Sequence, residues 1–86
     1  MEKKEKYEEI ESGTCSEILR LAIKKRGTTQ IAVADSLGMY QSGLSGLINR
    51  SKMTMYGFGT ILNAMDYDVA VVDRETGEIM WKVAIK

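Results

Sequence analysis

The sequence predicts a mainly α fold, a domain of four helices, with a C-terminal β-hairpin. Three observations carry that prediction. Apolar residues recur at helical spacing in four segments between Cys15 and Met65, and most of these segments are bounded by residues suited to helix ends. After Met65 the period changes, because residues 67–73 and 78–85 are rich in β-branched and aromatic side chains. Between these two runs lies Arg74-Glu75-Thr76-Gly77, a hairpin loop whose glycine can take the left-handed position. The implied organisation is a charged tail at 1–13, a helical domain at 14–66 and a hairpin at 67–86.

Composition narrows the function classes. Eighty-six residues lie near the size at which a single core is barely sufficient. Apolar residues are 44% and charged residues 28%, as in a soluble globular chain. No run approaches the length of a membrane span and no signal peptide is read, so the expected location is cytoplasmic. The chain has one cysteine and no histidine, which leaves no internal disulfide and no zinc set. Cys15 reads as a small core residue, with a reactive thiol at a helix start as the alternative. Without histidine, paired carboxylates around a pocket or a phosphate-binding glycine loop, no catalysis, metal or cofactor is expected.

Net charge is zero, which argues against indiscriminate nucleic-acid binding. Its distribution is more informative. Residues 1–26 hold seven basic and six acidic groups, and residues 53–86 hold three basic and five acidic groups. Between them, residues 27–52 hold Arg50 and Lys52 against Asp35 alone, and 36–65 contain no carboxylate. A middle free of carboxylates suits specific docking on an anionic surface.

Taken in order, the tail interleaves lysine and glutamate. Glu2 with Lys6 and Lys4 with Glu8 have helical spacing, but a solvated tail is the expected state. Thr14 followed by Glu17 forms a capping box, opening a helix over 15–26 that buries Ile18, Leu19, Ala22 and Ile23. Lys24, Lys25 and Arg26 complement the negative end of its dipole, with phosphate contact as the alternative, and Gly27 ends it. Thr29 caps a second helix whose Val33, Ala34 and Leu37 share a face, and Gly38 ends that one. Gln41 opens a third helix, with Leu44, Leu47 and Ile48 inward and Gln41, Ser42, Ser45, Gly46 and Asn49 outward. A fourth, at about 57–65, turns Phe58, Ile61, Leu62 and Met65 inward. Its Gly57 and Gly59 weaken it by about 1 kcal/mol each relative to alanine, so packing must hold it or something must approach closely. In the hairpin, Tyr67, Val69 and Val71 share a face, as do Ile79, Trp81, Val83 and Ile85. One face is expected on the helices. The other remains apolar, and the unpaired edges invite a partner strand. The expected dimer interface is Val69, Val71, Val72, Met80, Trp81 and Val83.

The run Gly38-Met39-Tyr40-Gln41-Ser42-Gly43-Leu44, with Gln30 and Ala34 before it and Leu47 and Asn49 behind, resembles the helix-turn-helix of the lambda repressor/Cro-like (XRE-type) family. The likeness covers about residues 16–65. It implies a four-helix DNA-binding domain whose third helix enters the major groove of double-stranded DNA. Short, uncharged side chains on that helix suit the role, since they allow close approach and do not repel phosphate. By the resemblance and by geometry, Gln41 contacts a base, preferably adenine, and Ser42 reads a neighbouring edge, with Ser45 on the same face. Gly46 leaves room for a thymine methyl. Gln30 binds phosphate from the start of the preceding helix and braces Gln41, and Asn49, Arg50 and Lys52 hold the far phosphates.

Two positions depart from the family pattern. Tyr40 stands where a small or hydroxyl residue is usual, and either stacks on the sugar-phosphate backbone or obstructs docking. Ile31 is an apolar residue where polar ones are common. The expected function is a sequence-specific transcriptional regulator, a repressor that binds an inverted-repeat operator as a homodimer. The alternative is a protein-binding module on the same fold, an antitoxin or anti-CRISPR-type protein of phage origin.

Overall fold

A computed structural model describes Ile10, residues 13–50 and residues 52–85. The helical pairing read at Glu2–Lys6 and Lys4–Glu8, like the rest of 1–9, lies outside the described residues. The chain forms four helices and one two-stranded antiparallel sheet: α1 (Cys15–Arg26), α2 (Gln30–Leu37), α3 (Gln41–Ile48), α4 (Met55–Ala64), β1 (Val69–Val72) and β2 (Ile79–Val83).

The helix ends follow local chemistry. Thr14 Oγ1 accepts from the Glu17 amide at 3.2 Å, and Thr29 Oγ1 accepts from that of Ala32 at 3.2 Å. Only the hydroxyl half of the expected box at Thr14 is formed among the described residues. Gly27 and Gly38 end α1 and α2 with φ of 69° and 66°, a conformation that a Cβ disfavours. Helix α4 begins two residues earlier than the expected start at about 57. The cause is Thr54, whose Oγ1 accepts from the Gly57 amide at 3.0 Å and sets Met55 as the first helical residue.

Leu19, Ile23, Val33, Ala34, Leu44, Ile48, Ile61, Leu62 and Met65 form the buried core, and among the described residues no polar or charged side chain joins them. All four helices contribute. Ala22, Leu37 and Phe58 are half-buried and pack against it, and Ile18, Leu47 and Cys15 are half-buried.

The hairpin departs from expectation in two ways. Its faces are not lodged on the helices. Tyr67 and Val69 pack against the core and Ile85 meets α4, while every residue of β2 and most of β1 is exposed. Its alternation is also broken. Val69 faces Val83 and Val71 faces Trp81, but Val72 faces Ile79, so Met80 is an extra residue in β2. Side chains opposite one another share a face. The bulge therefore moves Ile79 from the side of Trp81 and Val83 to the side of Val72. Apolar side chains stand on both surfaces of the ribbon. Its loop closes as expected, with Gly77 at φ 75° and Asp73 Oδ1 accepting from the Glu75 amide at 2.8 Å.

The root of the hairpin is tied down by contacts between residues far apart in the sequence. Asp66 holds φ 63°, an uncommon conformation for a residue with a Cβ. Around it, Arg26 Nε donates to the Met65 carbonyl at 2.9 Å and Nη2 to that of Asp66 at 3.1 Å. The same guanidinium lies 4.1 Å from the centroid of the Tyr67 ring. Arg26 stands in the last turn of its own helix, as the dipole reading requires, and also closes the end of α4. On the other strand, Asn63 Nδ2 donates to the Ile85 carbonyl at 2.7 Å.

Gly59 completes this root. A Cβ built there would overlap the Ile85 side chain and approach Ile85 Cβ to 2.6 Å, whereas at Gly57 it would meet only Thr54 Oγ1 at 3.4 Å. Close approach, the reading set beside plain packing, accounts for Gly59. The two glycines should therefore respond oppositely to alanine in thermal unfolding. Gly57→Ala is expected to raise the midpoint slightly by helix propensity. Gly59→Ala is expected to lower it, because overpacking costs about 1–3 kcal/mol and outweighs that gain. Shortening Ile85 to alanine should not rescue Gly59→Ala, since the obstructing Cβ remains.

Candidate nucleic-acid interface

Helices α2 and α3 pack against each other across a three-residue turn. Gly38 donates its amide to the Asp35 carbonyl at 3.1 Å and Met39 to that of Ala34 at 2.9 Å, which bends the chain sharply. Leu44 and Ile48 anchor the underside of α3 with no exposed surface, and Leu47 is half-buried. On the opposite side, Gln41, Ser42, Gly46 and Asn49 are exposed and Ser45 is half-buried. At about 100° per residue these five positions fall within an arc of about 140°. The result is a narrow ridge of amides, hydroxyls and bare backbone.

Gly46 has nothing within 4 Å of where its Cβ would stand, so the fold itself does not demand glycine there. The absent side chain lowers the ridge toward solvent. Gln30, the first residue of α2, is half-buried, and no hydrogen bond joins it to Gln41. The expected brace is thus not formed in the free protein. Gln30 does sit at a helix start without acidic residues in its first turn, where a positive dipole end suits an anion. Arg50 and Lys52 are exposed beyond the far end of α3.

Tyr40 is the N-cap of α3, is 88% exposed and gives no side-chain capping bond. Its ring therefore contributes little to the core, and the amides opening α3 lack an acceptor that a hydroxyl could supply. Tyr40→Ser is expected to stabilise the domain by about 1 kcal/mol. Calorimetry should show a rise of about 4–8 °C in Tm. If duplex binding falls in the same variant, the ring stacks on the backbone; if it rises, the ring obstructs docking.

The end of the ridge holds a partner that the sequence does not reveal. Arg20 of α1 donates through Nη2 to Asn49 Oδ1. Twenty-nine positions separate the two residues, and no local spacing signals their meeting. Asn49, expected as a phosphate ligand, has its side-chain oxygen engaged within the protein.

The six hairpin residues assigned to a dimer interface lie apart from this ridge in sequence. Val71, Val72, Met80, Trp81 and Val83 are exposed, Trp81 by 62%, and Val69 is half-buried against the core. Ile31 is 61% exposed on α2. Among the described residues no group of three or more His, Cys, Asp or Glu side chains could hold a metal, and no helix is long and apolar enough to cross a membrane. Scanned against protein-family models the chain matches none, and no curated protein and no solved structure matches it significantly.

Proposed function

We propose that this protein is a sequence-specific DNA-binding regulator, a repressor that docks the α3 ridge in the major groove and binds as a homodimer. One observation carries the reading. A short helix keeps Leu44 and Ile48 fully buried and turns out a low, uncharged face, within a stretch of thirty residues (36–65) that lacks any carboxylate. Such a face can reach base edges without repelling phosphate. Gln41 reads a base, preferably adenine through N6 and N7, and Ser42 and Ser45 meet neighbouring edges. Gly46 accommodates a thymine methyl, and Gln30, Arg50 and Lys52 position the helix on the phosphates. The apolar hairpin joins two copies, and a two-fold dimer requires an inverted repeat with half-sites roughly 34 Å apart.

Selection from a random duplex library tests this directly. The intact protein is expected to enrich an inverted repeat; absence of any enriched motif overturns the reading. A second reading, a protein-binding module, is favoured by the exposed apolar side chains of Ile31 and Tyr40. It predicts no enriched motif, together with binding to a protein partner that Ile31→Lys abolishes.

A further inference from the structure

We infer that Arg20 is a phosphate-binding residue at the C-terminal end of the α3 ridge, held there by Asn49, which acts as a positioning residue rather than a ligand. This rests on the DNA-binding reading and extends the interface from α2 and α3 to α1. The first argument is charge. Arg20 is exposed and its partner is a neutral amide, so the bond orients the guanidinium without cancelling it. An arginine held by a carboxylate would present a neutral pair to DNA. No carboxylate occurs between residues 36 and 65, so the segment that contains Asn49 supplies none to cancel it. A guanidinium has five N–H donors, and one bond to Asn49 Oδ1 leaves others to meet an anion.

The second argument is position. On the helical wheel Asn49 falls near the middle of the outward arc defined by Gln41, Ser42, Ser45 and Gly46. Its backbone, at φ −76° and ψ −6°, continues the helical trend, so the arc persists to this residue. The eight residues of α3 span about 12 Å, close to the width of the major groove. With Gln41 among the bases, the Asn49 end stands at the rim, where phosphates run. A cation bonded to Asn49 is then presented to the backbone and not to base edges. Arg50 and Lys52 leave the same end of the helix, and Arg20 joins them from a different element.

The salt dependence of binding separates this role from a plain staple between α1 and α3. Log affinity for B-form duplex falls with log salt at a slope of about 0.9 for each phosphate neutralised. Arg20→Gln keeps an amide donor toward Asn49 but removes the charge. Measured on the selected duplex between 50 and 200 mM salt, it is expected to flatten the slope by about 0.9 per protomer. For the dimer this is about 1.8 in all, so affinity changes about twelvefold less over this range, with the preferred motif unchanged. Asn49→Asp supplies a carboxylate to Arg20 without altering it, and should flatten the slope similarly while keeping the α1–α3 tie. Arg20→Lys should keep the wild-type slope. A slope unchanged in both Arg20→Gln and Asn49→Asp, whatever happens to Tm, reduces Arg20 to a structural staple and overturns the inference alone. If the wild-type protein binds no duplex at any salt, the DNA-binding reading fails first and this one with it.

Discussion

Replacing Gln41 with alanine is expected to weaken binding to the selected operator more than any other single change on α3. Gln41 is the first residue of the helix, is exposed, and its side chain makes no hydrogen bond to the described chain. Truncation therefore leaves folding nearly untouched, and Tm should stay within about 2 °C. A bidentate amide–adenine pair discriminates by about 1–3 kcal/mol. In a two-fold complex the loss occurs in both half-sites, so the total is about 2–6 kcal/mol, or about 30- to 20,000-fold in affinity. The position facing Gln41 should also lose its base preference in a repeated selection. Retention of full affinity and full preference would place base reading elsewhere.

Trp81→Glu is expected to convert the proposed dimer to monomer. Trp81 is 62% exposed, so a charge there does not enter the core. At an apolar interface, loss of a tryptophan costs about 2–4 kcal/mol, before any repulsion between the two new carboxylates. Sedimentation or light scattering should show the dissociation constant rising by at least 30-fold, with helical circular dichroism unchanged. Binding to a full inverted repeat should then approach that to a single half-site. A dimer that persists in this variant assembles through another surface. The point substitution is cleaner than removing the hairpin, because Tyr67, Val69 and Ile85 pack on or meet the helical domain and truncation would expose it.

What the sequence revealed and concealed follows the range of the interactions. The ends of α1 and α2 were legible because Thr14, Thr29, Gly27 and Gly38 act within one helical turn. The inward faces of α1 to α3 were legible because burial follows a period of 3.6. The expected start of α4, at about 57, falls two residues late because the cap lies at Thr54. The bulge at Met80 was concealed, since a strand apolar on both faces gives no sign of an extra residue in its pairing. Arg20 with Asn49, Arg26 with Met65 and Asp66, and Gly59 with Ile85 each join residues at least 26 positions apart. No local pattern anticipates them. The candidate ridge was therefore readable as a helical face, and its reinforcement from α1 was not.

The pinned root of the hairpin has a bearing on operator architecture. One strand is held by Arg26 at Met65, Asp66 and Tyr67, and the other by Asn63 and Gly59 at Ile85. A pair of subunits joined through such a ribbon acts as a ruler rather than a tether. Inserting one base pair between half-sites rotates the second by about 34–36° around the duplex axis. A flexible linker would absorb that change of phase; this one would not, and a single inserted or deleted base pair should silence an otherwise perfect site.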